Sequence, residues 1–248
     1  MKEETKKKII INSEATYIVA ILLLSLSVAM LTTADFGISM IVAPAYLLSL
    51  KVNFLTFGQA EYVIQAIFFI LLCLVIRKFK PIYLTSFMTC LIYGLALDLW
   101  RMIPFFNSSV TSPESLALWI RILLFIGGVL LTGFSVALFF KTYFYPQVYD
   151  FSVKCITARY RFKMFIVKTG VDFSMLGIAL IMTFCFFGKL VGIGWGTLVM
   201  AVLNGTIIGL FSKLLDHCFE FKPALSKFAS FFDLGFEAKE KGGNPSIE

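Results

Sequence analysis

The chain has 248 residues, of which 59% are hydrophobic and 15% are charged, and it carries a formal net charge of +7. This composition excludes a soluble globular protein, because a core of this size cannot bury so many long apolar runs. Nucleic acid is not an expected partner, since no basic stripe is interleaved with exposed aromatic residues. The sequence instead predicts an integral protein of the lipid bilayer.

The N-terminal segment, residues 1–14, is basic, and the apolar run after it is too long for a cleaved signal peptide. The first transmembrane span is predicted at residues 15–34, since a helix needs about 20 apolar residues to cross the bilayer. Asp35 and Pro44 then interrupt the apolar pattern. We therefore expect residues 38–50 to form a short re-entrant or interfacial segment, because they are too few to span.

Five further spans follow from the same criterion. They are predicted at residues 57–76, 82–103, 118–140, 165–187 and 190–214. A polar loop, residues 107–116, separates the third span from the fourth. Residues 141–163 are too polar to span, and their four tyrosines suit the headgroup level of the bilayer. These tyrosines are Tyr143, Tyr145, Tyr149 and Tyr160.

The tail, residues 216–248, mixes phenylalanines with lysines and acidic residues. We expect it to begin as an amphipathic helix at Cys218, lying on the inner leaflet. From Lys239 onwards its composition suits disorder.

One stretch of the chain occurs twice: residues 54–100 align without a gap with residues 165–211. Aligned apolar residues mean little in such a chain, so the informative matches are the polar and glycine pairs. These are Glu61 with Asp172, Lys78 with Lys189, and Gly94 with Gly205. The first span also aligns with the fourth, which indicates an internal duplication.

The duplication divides the chain into repeat one, residues 15–106, and repeat two, residues 117–215. Each repeat contains three spans, and because three is odd the two repeats must cross the membrane in opposite directions. The predicted fold class is an all-α membrane protein of six transmembrane helices in two inverted three-helix repeats. Each repeat has a short re-entrant or interfacial segment after its first helix. This plan is common in transporters.

Positive charge predicts the orientation. Outside the tail, most Lys and Arg residues fall on the side of this arrangement that holds the N-terminus. Cytoplasmic loops carry an excess of Lys and Arg in membrane proteins. Both termini are therefore expected in the cytoplasm.

Ionisable residues within spans are the main candidates for function, because a charge in hydrocarbon costs at least about 2.5–3.5 kcal/mol on insertion scales. Glu61 and Asp172 form an aligned pair on the second span of each repeat. Either they face one central pathway, or they are first- or second-turn acids favoured by the helix N-terminus and hydrated by headgroups. Lys168 lies one turn before Asp172 and is expected to pair with it, whereas Glu61 has no such partner.

Asp98 lies in the third span and either faces the pathway or pairs with Arg101 near the outer face. Asn204 lies in the sixth span and either lines a path or bonds between helices. The glycines of the sixth span most simply allow close helix packing. They are Gly192, Gly194, Gly196, Gly205 and Gly209.

The breaks after the first and fourth spans hold Asp35, Lys141 and Asp150 at corresponding places in the two repeats. Non-helical backbone at membrane depth needs protein or a water-lined cavity to satisfy its polar groups. Corresponding breaks are therefore the pattern of a binding site between repeats. The alternative is an interfacial elbow that rests among headgroups.

An enzyme is not expected. Ser135 lies in a GFSVA run that faintly resembles a nucleophile elbow, but the span around it is apolar and has no histidine within reach. The five cysteines are scattered without a C-x-x-C motif, and His217 is the one histidine of the sequence. No metal site and no cofactor are therefore expected.

Several short motifs carry a family resemblance. The first repeat has TADFGIS at 33–39, Phe57-Gly58, and Gly94 followed by Asp98; the second has Lys141-Thr142, Tyr149-Asp150 and GWGT at 194–197. The pattern resembles the YczE/YitT-type bacterial inner-membrane family, whose function is not established. The soluble C-terminal domain typical of YitT proteins has no counterpart here, which favours the YczE-like branch. The resemblance implies the bacterial cytoplasmic (inner) membrane as the location.

The function expected from these features is a small-molecule transporter or exporter with a central site between inverted repeats. A different class is a non-transporting accessory protein: a substrate-capturing subunit of a larger importer, or an immunity or assembly factor. The expected partners are the lipid bilayer, an unidentified small-molecule substrate, and a second copy of the chain or a partner membrane subunit.

Overall fold

The structure, a computed structural model, describes residues 9–77, 79–107 and 110–225. Six of its helices are long and apolar enough to cross a membrane. Numbered in chain order with the shorter helices, they are α1 (Ser13–Ala34), α3 (Phe57–Ile76), α4 (Leu84–Met102), α5 (Leu118–Phe140), α7 (Met164–Phe187) and α8 (Trp195–Cys218). The two shorter helices are α2 (Ala43–Lys51) and α6 (Val148–Tyr160). The chain is a multi-pass membrane protein.

The last long helix begins later than predicted, at Trp195. Gly192 has a φ of +68°, a left-handed conformation that glycine adopts without strain and that breaks the helix. The backbone around it bonds to the segment after α1: the Ile38 N–H donates to the Gly192 carbonyl at 3.1 Å, and the Gly196 N–H donates to the Phe36 carbonyl at 2.8 Å. Gly192 and Gly196 therefore lie at a backbone-to-backbone contact. A Cβ atom on Gly196 would also collide with the Phe125 ring of α5, so the predicted role in close helix packing holds for Gly196.

The two ends of the described chain meet. Strand β1 (Ile9–Asn12) pairs in parallel with strand β2 (Phe219–Lys222), with Ile9 opposite Phe219. The helix predicted at the start of the tail is therefore wrong for these residues, whose Phe-Glu-Phe-Lys alternation has the period of a strand. The pairing places the start of α1 and the end of α8 at the same end of the bundle. The predicted disorder from Lys239 lies outside the described residues.

Glu14 anchors this end of the bundle. Its carboxylate accepts from the backbone N–H groups of Ala224 at 3.1 Å and Leu225 at 3.0 Å, and from the Tyr143 hydroxyl at 2.9 Å. One side chain at the start of α1 thus joins the segment after β2 to the connection after α5.

The helices pack in a regular pattern. Helices α1 and α5 contact each other, while α4 packs on α1 and α8 packs on α5. The short helices α2 and α6 each contact both α3 and α7. Outward faces are apolar, as lipid contact requires: Ile67, Ile181 and Val202 are all exposed.

The tyrosines before and within the short helix α6 differ in exposure, and two of them are buried inside the protein. Tyr145 and Tyr149 are 3% and 2% exposed, so the prediction that they lie at the headgroup level is wrong. The segment folds inward because α6 packs against α3, α4 and α7. Tyr160, at the end of α6, is exposed and its hydroxyl donates to the Val75 carbonyl at 2.7 Å.

Helices α3 and α4 lie close together. A Cβ atom on Gly58 would collide with the carbonyl of Gly94, so neither position leaves room for a side chain. The Asp98 carboxylate accepts from the Thr56 hydroxyl at 2.6 Å and from the Gly58 N–H at 2.9 Å. The Tyr62 hydroxyl adds a further bond between the helices, to the Leu91 carbonyl at 2.9 Å.

Helices α7 and α8 follow each other in the chain but make little contact. Helix α7 packs on α2 and α6, whereas α8 packs on α5. A Cβ atom on Gly205 or Gly209 would have no neighbouring atom within 4 Å. The prediction that these two glycines allow close helix packing is therefore wrong for this structure.

Replacing Gly58 with alanine should lower the thermal stability of the protein. Alanine favours a helix by about 1 kcal/mol over glycine, but the collision with the Gly94 carbonyl costs about 1–3 kcal/mol of overpacking. We expect a lower unfolding temperature for Gly58→Ala in detergent, measured by intrinsic fluorescence. The control is Gly177→Ala, because no atom lies within 4 Å of that Cβ. A Gly58→Ala variant as stable as Gly177→Ala would contradict the close approach.

Candidate functional site

A cavity of about 370 Å³ lies between α7 and α8 and extends to α1, α5 and α6. Most of its wall is apolar and comes from α1, α5 and the segment before α2. Its polar residues are concentrated on α6, α7 and α8. They include Gln147, Tyr149, Asp150, Lys168, Asp172 and Asn204. An apolar cavity with a few convergent polar groups is the usual form of a small-molecule site.

Lys168 lies between two carboxylates at the wall of this cavity. Its Nζ atom is 3.1 Å from Asp150 Oδ1 and 3.2 Å from Asp172 Oδ1. The predicted pairing of Lys168 with Asp172 is present, because residues four apart share a helix face. Asp150, which the sequence placed at the break after the fourth span, lies on α6 and forms the second ion pair with Lys168. The three side chains are about one third exposed.

Two buried polar atoms of the site have neither a hydrogen-bond partner nor an ion-pair partner among the described residues. They are Gln147 Nε2, a donor, and Asn204 Oδ1, an acceptor. Gln147 is 8% exposed, and both residues line the cavity. Buried polar atoms without partners cost free energy, so these two are available to a ligand or to water.

Glu61 lies behind the cavity wall, and it is fully buried. Its Oε2 atom accepts from Gln65 Nε2 at 3.0 Å and is 3.5 Å from the Tyr149 hydroxyl. No described lysine or arginine forms a salt bridge with it, which agrees with the sequence. Glu61 and Asp172 therefore occupy different surroundings: amides and a phenol for one, a lysine and a cavity for the other.

Gln65 connects α3 to the start of α6. Its Nε2 donates to Gln147 Oε1 as well as to Glu61, and its Oε1 accepts from the Val148 N–H at 3.2 Å. Burial raises the pKa of Tyr149 well above its ordinary value, and the neighbouring Glu61 raises it further. Tyr149 therefore keeps its proton, and its hydroxyl can donate a hydrogen bond to Glu61.

The remaining predicted residues lie away from the cavity. Asp98 caps the start of α3 and does not line the cavity, which disfavours the predicted pathway role. The charge of Arg101 also acts on Asp98, as the alternative predicted. Asp35 ends α1 in a left-handed conformation, with its Oδ2 atom 3.9 Å from Arg121 Nη2. Burial raises the pKa of Asp35, and the positive charge of Arg121 opposes that rise. Lys141 Nζ is 2.7 Å from Asp216 Oδ2.

Sequence reasoning missed Gln147 and misread Tyr149. Both belong to a stretch that hydropathy describes only as too polar to span, and that description fits a loop in headgroups as well as a helix inside the bundle. The Pro146-Gln147 dipeptide before α6 is consistent with a helix start and gives no hint of burial. No described cluster of His, Cys, Asp or Glu could hold a metal ion.

Replacing Gln65 with methionine should destabilise the protein by about 2–3 kcal/mol, because Glu61, Gln147 and the Val148 N–H lose buried partners. The change keeps the side-chain length, so a loss of packing contributes little. Chemical unfolding in detergent, followed by circular dichroism, measures the effect. The control is Ile67→Met on the lipid-facing side of the same helix, which breaks no hydrogen bond. Equal stability of the two variants would show that the network is not a structural link between α3 and α6.

Comparison with known proteins identifies relatives whose functions are unknown. A family model described as "Family of unknown function (DUF6198)" matches residues 11–213. The chain is similar to "Uncharacterized protein YyaS" of Bacillus subtilis (strain 168), with 29% identity over 203 residues, covering 82% of this chain and 94% of that protein. No solved structure matches. Neither relative carries the YczE or YitT name, so that resemblance stays a prediction. Because the family model spans all six long helices almost completely, this membrane protein belongs to the DUF6198 family of unknown function.

Proposed function

We propose that this protein is a small-molecule transporter of the bacterial inner membrane, built from two inverted three-helix repeats. The substrate site is the cavity between α7 and α8. The observation that carries the proposal is that the two halves pack alike in every major helix–helix contact except one. That exception, α7 with α8, is where the cavity lies.

The matching contacts support the repeats. The contact of α1 with α4 corresponds to that of α5 with α8. The contact of α2 with α3 corresponds to that of α6 with α7, and α2 with α7 corresponds to α6 with α3. A duplicated chain whose halves are related by an inverted pseudo-symmetry would give this pattern.

The exception has a cause in the side chains. Asp98 and Tyr62, which bond α4 to α3, correspond to Gly209 and Phe173 in the second half. Glycine and phenylalanine cannot form the corresponding hydrogen bonds, so α7 and α8 lack both of the interhelical links that join α3 and α4. We propose that α7 and α8 close on each other, as α3 and α4 do here, when the transporter changes state. Movement of one repeat or hairpin about a central site is the general form of alternating access.

A transport role fits the site better than a catalytic one. The Ser135 hydroxyl, which the sequence placed in a faint nucleophile-elbow motif, donates to the Leu131 carbonyl at 2.6 Å within its own helix. The cavity offers charges and amides for holding a ligand. We place both termini in the cytoplasm, because the basic connections and the N-terminus then share one side.

Cysteine accessibility tests the transport proposal without a known substrate. In a background with the five native cysteines replaced, Asn204→Cys should react with a membrane-impermeant thiol reagent from either side of the membrane. Alternating access exposes a central residue to each side in turn, whereas a substrate-capturing accessory protein exposes it to one side. Right-side-out and inside-out vesicles provide the measurement. The control is Val202→Cys, which is 76% exposed on the lipid side of the same helix and should resist the reagent from both sides. Labelling of Asn204→Cys from one side alone would reject transport.

Cross-linking tests the closure of α7 on α8. Thr169 and Gly205 correspond to Gly58 and Gly94, the point of closest approach of α3 and α4, and both line the open cavity. The Thr169→Cys/Gly205→Cys variant should therefore form a disulfide under mild oxidation, detected as a mobility shift of protein cleaved in the α7–α8 loop. The control pair is Ile181→Cys/Val202→Cys, both exposed on the lipid side. Equal cross-linking of the two pairs would show random encounter and not closure.

A further inference from the structure

We infer that the ligand of the cavity between α7 and α8 is a monovalent organic cation, a protonated amine attached to an apolar body. The inference rests on the proposed function and deepens it by naming the substrate class. The walls, the charges and the unpaired polar atoms of the cavity each support this ligand class.

The apolar walls of the cavity favour a ligand with an apolar body. Helix α1 contributes Leu24, Val28 and Leu31, and helix α5 contributes Val136 and Phe140. Burying apolar ligand surface against such a wall contributes roughly 25 cal/mol per Å². A small, strongly hydrated ion would leave most of this wall without a partner, so an inorganic cation does not fit.

The charges select a cation. The lining residues include two carboxylates, Asp150 and Asp172, and one ammonium group, Lys168. One negative charge is therefore left over in a half-buried site, where an uncompensated charge is costly. A single positive charge on the ligand balances it, and an anionic ligand would add a second unbalanced charge.

Neighbouring charges do not reverse this balance. Lys154 lies outside the cavity lining and is directed to the ring of Phe140, with its Nζ atom 5.6 Å from the ring centroid. Glu61 lies behind Tyr149 and Gln65, and any negative charge on it would strengthen the preference for a cation. Tyr93 and Tyr149 line the cavity as neutral phenols.

The polar atoms select an amine. The carboxylates and the unpaired Asn204 Oδ1 are acceptors, which match the N–H donors of a protonated amine. A quaternary ammonium ion has the charge but no such donor. Gln147 Nε2 is the one buried donor without a partner among the described lining atoms, and it suits a hydroxyl or carbonyl group elsewhere on the ligand.

The space between α7 and α8 provides a route for such a molecule. Ala201 and Gly205 on α8 line the cavity and are exposed. We infer that the cavity opens towards the membrane at this seam. Amines with apolar bodies concentrate in the bilayer interface, from which they can enter without first crossing the polar loops.

A matched set of probes tests the inference: 4-phenylbutylamine, 4-phenylbutanol and 4-phenylbutyrate, which share one body and differ in head-group charge. Binding to the purified full-length protein in a non-ionic detergent is measured by isothermal titration calorimetry. We expect the amine to bind at least tenfold more tightly than the alcohol and the carboxylate to bind most weakly. Equal binding of amine and alcohol, or tightest binding of the carboxylate, overturns the inference.

Two variants test whether amine binding depends on the charges that line the cavity. Asp172→Asn leaves Lys168 paired with Asp150 and should weaken amine binding at least tenfold while alcohol binding stays the same. Lys168→Met should bind the amine at least as tightly as the unchanged protein if it folds; a loss of amine binding in a folded Lys168→Met variant would contradict the inference. The control is Asp216→Asn, an exposed aspartate that pairs with Lys141 away from the cavity and should leave all three affinities unchanged.

The outcomes separate this inference from the proposed function. If the carboxylate probe binds tightest while Asn204→Cys is labelled from both sides, transport stands and the substrate class is wrong. If the amine binds as expected while Asn204→Cys is labelled from one side, the substrate class stands and the protein captures its ligand without transporting it.

Discussion

The Asp98 carboxylate is the interaction on which the arrangement of this protein depends. It accepts hydrogen bonds from the hydroxyl of Thr56, which caps α3, and from the Gly58 N–H in the first turn of that helix, and so holds the end of α4 against the start of α3. A negative charge at a helix N-terminus is favourable because backbone N–H groups there lack partners. The aligned position holds Gly209, which cannot make this bond. Helices α3 and α4 are held together, whereas α7 and α8 have space between them.

The space between α7 and α8 is bordered by the charged side chains of Lys168, Asp150 and Asp172. Hydrocarbon tolerates charged side chains only when they are paired or face protein and water. Lys168, Asp150 and Asp172 satisfy both conditions at the cavity wall. Glu61, at the position aligned with Asp172, has only neutral partners among the described residues: its Oε2 atom contacts Gln65 and Tyr149. The two aligned acidic positions therefore differ in their surroundings: Glu61 belongs to a buried hydrogen-bond network, and Asp172 lies at the proposed ligand site.

Part of the site could be predicted from the sequence because it depends on local spacing. Lys168 and Asp172 are one turn apart, so their pairing follows from helix geometry alone. The addition of Asp150 could not be predicted in the same way, since it requires α6 to fold inward against α7. Gln147 gave no signal at all, because a glutamine in a polar stretch is ordinary until that stretch is buried. Asp98 was identified as a candidate, but its bond to the start of α3 depends on how closely two helices approach.

The sequence by itself determined the six long helices and the two short segments between them, and it is the basis of the proposed duplication. These features depend on hydropathy and helical period, which are properties of neighbouring residues in the chain. Only the tertiary structure decided which helices touch, that α3 and α4 close while α7 and α8 stay apart, and that Tyr149 and Gln147 are buried. In a chain that is apolar on nearly every face, many helix pairings look alike in sequence. A few polar and glycine contacts select among them, and those contacts join residues far apart in the chain.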